Sequence, residues 1–145
     1  MNFDDELVSA WAELDPPPRA SITEHNCDEC EEIAEFFADK AWADCADVAA
    51  LRYHNDALYL FAPSAYHYYL PAFIRATLLD PKAADLIPET IVSTLAHEFG
   101  NASRGRLELF SLPQRVVLAL FLRALPALGL AEEEDVNTLA EVLHE

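Results

Sequence analysis

The sequence predicts a single all-α domain, and three observations support that prediction. Apolar residues recur at helical spacing along most of the chain, only 3 glycines are present to form hairpin turns, and no two segments suggest paired strands. The chain has 145 residues, of which 52% are hydrophobic, so it can bury a core and is too apolar to be disordered. We therefore expect one compact multi-helix domain over residues 1–145, built around a buried helix in the C-terminal half and a proline-kinked pair of aromatic helices.

The aromatic pair is predicted in residues 63–74, whose sequence is PSAYHYYLPAFI. Four aromatic rings within about three helical turns carry large burial free energies, which favours a position at the centre of the core. Pro63 and Ser64 are typical of a helix start. Pro71 cannot donate a backbone hydrogen bond and clashes with the preceding turn. We therefore expect a short helix, a break near Leu70 and a second helix that begins at Pro71.

The N-terminal half is predicted to contain short helices. Residues 1–15 should form an acidic helix that ends at three consecutive prolines. The next helix is predicted to start at Asn26, because Glu29 completes a pattern similar to a capping box. Residues 47–51 suggest another short helix. We interpret residues 57–61 as extended apolar packing, because an isolated strand would have no partner.

The C-terminal half contains the strongest helix signal. A helix is predicted at residues 88–99, with Gly100 available as its left-handed terminal residue. The sequence SLPQ at 111–114 resembles a capping box and leads into the apolar run VVLALFL at 116–122. A helix that is apolar nearly all round is expected to be buried nearly all round, here against the aromatic cluster. An acidic amphipathic helix at 131–145 completes the prediction.

Net charge is the strongest compositional signal. There are 9 basic and 26 acidic residues, a formal charge of −17. Residues 1–60 hold 15 acids and 3 bases (−12), residues 61–130 hold 5 and 6 (+1), and residues 131–145 hold 6 and none (−6). Such a surface repels nucleic acid and anionic membranes and attracts a basic partner. An acidic surface that only maintains solubility explains the same distribution equally well.

The sequence also predicts a compartment. Its first residues are acidic where a signal peptide would be basic and then apolar, and no apolar run has membrane-spanning length. The chain has 3 cysteines, an odd number that a secreted disulfide framework would usually avoid. We therefore expect a cytoplasmic protein that binds neither membranes nor nucleic acid.

The best candidate for metal chemistry is the sequence HNCDEC at 25–30. His25, Cys27 and Cys30 could hold zinc, with Cys45, His54 or an acid as the fourth ligand. No second matched pair of ligands accompanies them, which weakens this alternative. The main prediction is therefore that the protein folds without zinc or any other cofactor.

The two cysteines of this motif are more simply explained by packing. They continue an apolar stripe with Ala34 and Phe37, and a free cysteine packs as a small hydrophobic side chain. Redox chemistry is the least favoured interpretation, because the acids at 28, 29, 31 and 32 should raise the pKa of the thiols.

No complete catalytic constellation is visible, so the sequence predicts a protein that is not an enzyme. His97 begins a motif similar to that of zinc proteases, but Asn101 stands where the second histidine would be. There is no nucleophile elbow and no glycine-rich phosphate loop. His67, flanked by tyrosines, is interpreted as a half-buried core histidine.

Three segments together resemble a bacterial family of small helical proteins that contain a domain of unknown function. They are HNCDECE at 25–31, AYHYYLPAF at 65–73 and FSLPQ at 110–114 followed by an apolar helix. The resemblance covers residues 20–125. It implies an all-α fold and no catalytic residues, because the family has none established. At the level of class alone, the small acidic chain also resembles immunity proteins of bacterial toxin systems.

Two functions remain open from the sequence. The preferred one is a non-enzymatic immunity or inhibitor protein that neutralises a basic partner, such as a toxin domain, through its acidic ends. The alternative is a small zinc-binding domain that uses His25, Cys27 and Cys30. The residues expected to contact the basic partner are Asp28, Glu29, Glu31, Glu32, Glu35, Glu132, Glu133, Glu134 and Asp135.

Overall fold

The computed structural model describes residues 2–99 and 108–143. These residues form nine α-helices and no β-strand, which confirms the predicted fold class. The helices are α1 (Phe3–Ala10), α2 (Asp28–Phe37), α3 (Val48–Tyr53), α4 (Ala57–Leu60), α5 (Pro63–Leu79), α6 (Pro81–Ala84), α7 (Ile87–Phe99), α8 (Leu112–Ala124) and α9 (Glu133–Leu143). Two short 3₁₀ turns occur at Arg19–Ser21 and Trp42–Asp44. The buried apolar side chains of this part of the chain form one core.

The aromatic segment forms one continuous helix, α5, so the predicted break near Leu70 is wrong. Pro71 lies inside the helix and lacks an N–H, which leaves the carbonyl of His67 without its usual partner four residues on. The indole N–H of Trp11 donates to this carbonyl at 2.8 Å. A tertiary hydrogen bond thus replaces the one that Pro71 cannot make, and the helix continues.

Helix α5 occupies the centre of the fold because four consecutive side chains bond to four different segments. Successive helix positions are rotated by about 100°, so these side chains point in all directions around α5. Tyr66 bonds to Thr94 of α7 (2.7 Å), His67 to Gln114 of α8 (2.8 Å), Tyr68 accepts from the Trp42 amide (3.2 Å), and Tyr69 donates to the Phe37 and Lys40 carbonyls (2.8 and 3.0 Å). His67 is half-buried, as the sequence predicted.

The bond between Trp11 and His67 gives a testable prediction. Trp11→Phe removes the only donor that the structure shows for the His67 carbonyl and leaves a small cavity, so we expect the free energy of unfolding to fall by about 2–4 kcal/mol. In a Pro71→Ala background the helix regains its own N–H, and the cost of Trp11→Phe should be smaller by about 1 kcal/mol. Urea denaturation of the wild type, both single variants and the double variant measures this coupling. Strictly additive effects would contradict the account.

Helix α8 is less buried than its apolar sequence predicted. Its capping box is confirmed, since Ser111 and Gln114 exchange bonds between side chain and backbone. However, Leu112, Val116 and Leu120, spaced four residues apart, lie on an exposed face of the helix. Its principal neighbours are α9 and α1 rather than α5, which it meets at its first turn. The prediction that α8 is buried on all sides is therefore wrong, because the neighbouring helices cover only part of its surface.

Three other predicted segments agree with the structure to different degrees. Residues 57–61 are not extended: Ala57–Leu60 form a helical turn, in which Ala57, Leu58 and then Phe61 face the core at helical spacing. Phe61 makes an isolated bridge with Thr23. The helix expected at 88–99 is confirmed as α7, whereas the cap expected at Gly100 lies outside the described residues. The helix expected at 1–15 already ends at Ala10.

Candidate functional site

A cleft of about 420 Å³ lies between α2 and the segment that joins α3 to α4. We call it the acidic cleft, and it is lined by Asp28, Glu29, Glu32, Ile33, Tyr53, His54, Asp56 and Ala57. The α2 residues of this set include pairs that are three or four positions apart, so helical geometry places them on one face. Ile33 and Ala57 are buried and form an apolar floor, while the four carboxylates are exposed around it.

The acidic cleft concentrates negative charge, with four carboxylates and neither lysine nor arginine in its lining. The ion pairs found among residues 2–99 and 108–143 are Arg19–Glu31, Arg52–Asp85 and Arg75–Asp4, and none involves a cleft carboxylate. Desolvation raises the pKa of Glu29, and a hydrogen bond with Asp56 together with the charges of Asp56 and Glu32 raises it further. Burial lowers the pKa of His54, which favours the neutral imidazole. The cleft is therefore predisposed to accept a cation.

An aromatic ring stands at the edge of the acidic cleft. The Tyr53 ring is among the most exposed apolar groups, with 72% of the residue accessible. Its hydroxyl donates to Glu32 at 2.8 Å, and this bond raises the pKa of Tyr53. The bond orients the ring beside the carboxylates, where its face can contact a bound cation or an apolar stem.

The acids of α2 that the sequence predicted as partner-binding residues lie in two different places in the structure. Asp28, Glu29 and Glu32 line the acidic cleft, whereas Glu31 and Glu35 are exposed outside its lining. Glu31 lies 3.8 Å from Arg19 in an exposed ion pair. Tyr53 and Asp56 were not predicted as site residues, and His54 was considered only as a possible zinc ligand. An exposed tyrosine close to an aspartate in an acidic region was the available signal.

The acids of the C-terminal end lie around a second cleft of about 600 Å³. Glu132 and Asp135 line it together with Glu89 of α7, while Glu133 and Glu134 are exposed in the first turn of α9 outside the lining. The segment that joins α3 to α4, and α4 itself, are hydrogen-bonded to α7. Asn55 donates to Thr90 at 2.8 Å, and Tyr59 donates to Ser93 at 3.4 Å. Helix α7 thus contributes Glu89 to the second cleft and supports the segment that lines the acidic cleft.

The cysteine motif does not gather its candidate ligands. Cys45 is buried, its thiol donates to the Ala41 carbonyl at 3.6 Å, and burial raises its pKa to about 11. The His54 ring packs on Phe36 with centroids 4.3 Å apart, and His25 is exposed. Within the described ranges, no group of three or more His, Cys, Asp or Glu side chains is arranged to hold a metal ion.

Only one of the two motif cysteines belongs to the apolar stripe. Cys30 is buried as predicted, but Cys27 is exposed, so the packing interpretation is wrong for Cys27. The reason is the start of α2: Cys27 is its N-cap and precedes the first helical residue, Asp28. The start predicted at Asn26 is accordingly wrong as well. The Cys27 sulfur accepts from the Cys30 amide at 3.3 Å, the role that an N-cap oxygen usually has.

The described part of the chain is an all-helical fold with two clefts that carboxylates line. No protein-family model, curated protein or solved structure matches the chain. The resemblance to an uncharacterised bacterial family stays a prediction. No helix in the described part of the chain is both long and apolar enough to cross a membrane.

The raised pKa of Glu29 predicts a dependence of stability on pH. A carboxyl whose pKa is higher in the folded than in the unfolded chain opposes folding when ionised, and this effect disappears below the ordinary value of 4.5. We therefore expect Glu29→Gln to increase the free energy of unfolding at neutral pH and to make no difference well below pH 4.5. Urea denaturation at both pH values measures this, with Glu35→Gln on the same helix as the control. Equal or lower stability of Glu29→Gln at neutral pH would argue against carboxylate crowding in the cleft.

Proposed function

We propose that the protein is a small non-enzymatic binding protein that neutralises a basic protein partner, as an immunity or inhibitor protein of a toxin system does. The observation that carries this proposal is the acidic cleft, where four carboxylates outside the ion pairs of the described residues lie beside an exposed tyrosine. A solvated acidic face that only maintains solubility does not need a concave site with an apolar floor.

The shape of the cleft suits a lysine or arginine side chain of the partner. The charged head would bind between Glu29, Glu32 and Asp56, while its alkyl stem packs on the Tyr53 ring. A bound cation favours the ionised form of Glu29. Binding should therefore be strongest above the raised pKa of Glu29 and should weaken as the pH falls through it.

The remaining acids act at longer range in this proposal. The second cleft and the exposed Glu31, Glu35, Glu133 and Glu134 extend the negative field around the acidic cleft. Such a field speeds the approach of a basic partner, but it is screened beyond about 8 Å at physiological ionic strength. Association should therefore slow as salt is added, whereas the dissociation rate should change less.

The experiment that tests this function is capture of the partner from the native cell. The full chain serves as bait beside a variant with Glu29→Lys and Glu32→Lys, and captured proteins are identified by mass spectrometry. We expect a basic protein that the wild type retains and the variant does not, and whose toxic or enzymatic activity falls when the wild type is added. Capture of partners that are not basic, or capture that survives the double reversal, would contradict the proposal.

A further inference from the structure

We propose that Cys27 and Cys30 form a redox-active dithiol, which closes reversibly to an intramolecular disulfide by exchange with a small-molecule disulfide. Its chemistry does not require partner binding at the acidic cleft. The proposal rests first on proximity, because the Cys27 thiol donates to the Cys30 sulfur at 2.8 Å. The two sulfurs are thus already in contact before any bond forms between them.

The two thiols differ in accessibility, as a stepwise exchange requires. Cys27 is exposed at the N-cap of α2, where a dissolved disulfide can reach it. Cys30 is only 1% exposed and sits beneath it in the first turn of the helix. The N–H of Cys30 points at the Cys27 sulfur, at 3.3 Å, and can stabilise the negative charge that this sulfur carries when it attacks.

The thiol–disulfide exchange takes place in two steps. The Cys27 thiolate attacks one sulfur of a dissolved disulfide RSSR, a mixed disulfide forms at Cys27, and one RS⁻ leaves. The Cys30 thiolate then attacks the Cys27 sulfur, the internal disulfide forms, and the second RS⁻ leaves. Overall, two protein thiols are oxidised and one RSSR is reduced to two RSH, with both protons from the cysteines transferred to the leaving thiolates.

The environment of Cys30 favours the closed form. Burial raises the pKa of the Cys30 thiol, which is the opposite of the thiolate stabilisation that makes a dithiol strongly oxidising. A reduced form without thiolate stabilisation gives a disulfide that resists reduction.

The test is a thiol titration of the full chain. The reduced protein is equilibrated without air in mixtures of reduced and oxidised glutathione, its thiols are trapped by alkylation in denaturant, and intact mass and peptide maps are recorded. We expect one transition in which two of the 3 thiols become protected, with Cys27 bridged to Cys30 and Cys45 still free. Cys27→Ser should abolish the transition and Cys45→Ala should preserve it.

Three results would overturn the proposal. The first is that all thiols stay reactive at every glutathione ratio. The second is that glutathione accumulates on Cys27 while Cys30 stays free. The third is that the bridge forms between two chains. Cys27 is exposed, so its serine variant should remain folded, and circular dichroism of that variant checks this. If a variant of the buried Cys30 or Cys45 does not fold, the peptide map of the wild type alone decides the outcome.

Discussion

Phe37→Ala is expected to lower the free energy of unfolding by about 3–5 kcal/mol, the range typical of a fully buried phenylalanine. Phe37 is 0% exposed, and its ring lies 4.8 Å from Tyr69, 5.1 Å from Phe61 and 6.1 Å from Phe73 between ring centroids. This aromatic group joins α2 to α5, and truncation at its centre leaves a cavity among rigid rings. Guanidinium denaturation measures the loss.

The matched control for Phe37→Ala is Leu112→Ala. Leu112 is also a large apolar residue in a helix, but it is 63% exposed, so its truncation should cost less than about 0.5 kcal/mol. If the two variants lost similar amounts of stability, the aromatic group around α5 would not be the centre of the core.

The double reversal Glu29→Lys and Glu32→Lys is expected to have the largest effect on function. If these carboxylates pair with a cation of the partner, their loss should cost about 2–5 kcal/mol of binding free energy, which is about 30-fold or more in the dissociation constant. Titration calorimetry with the purified partner measures this. The variant should stay folded, because both side chains are exposed and loss of the Glu29 carboxylate relieves crowding in the cleft.

The chain provides a closely matched control on the same helix. Glu31→Lys with Glu35→Lys makes the same change in net charge at exposed positions of α2 that lie outside the cleft lining. This pair should slow association through the weakened field but preserve most of the affinity. An equal loss of affinity in both pairs would mean that net charge, rather than the cleft, determines binding.

The sequence predicted where helices form better than it predicted where they break or end. Apolar periodicity located α5, α7 and α8, because burial of one face determines that spacing. The break at Pro71 was predicted from local rules, and it fails because Trp11, distant in sequence, donates to the His67 carbonyl. A tertiary bond of this kind leaves no local signal. The prediction overestimated the burial of α8 for a similar reason, since composition does not show how many neighbours a helix will have.

The sequence predicted only some residues of the candidate site, for a related reason. Charge counting found the acids of α2, since a run of carboxylates is visible in the sequence. It could not separate Glu29 and Glu32 from Glu31 and Glu35, because that distinction depends on which face of α2 meets the α3–α4 segment. Tyr53 and Asp56 enter the site only through that packing. The contact between Cys27 and Cys30 likewise depends on the residue at which α2 begins.

The central claim is that the acidic cleft itself holds a basic partner, and the dissociation rate tests it most directly. Surface plasmon resonance with the immobilised partner would compare the wild type, the Glu29/Glu32 reversal and the Glu31/Glu35 reversal at two salt concentrations. The account predicts slower association for both variants and faster dissociation, by more than about tenfold, for the cleft variant alone. Dissociation that is unchanged in the cleft variant, or equally fast in both variants, would contradict it.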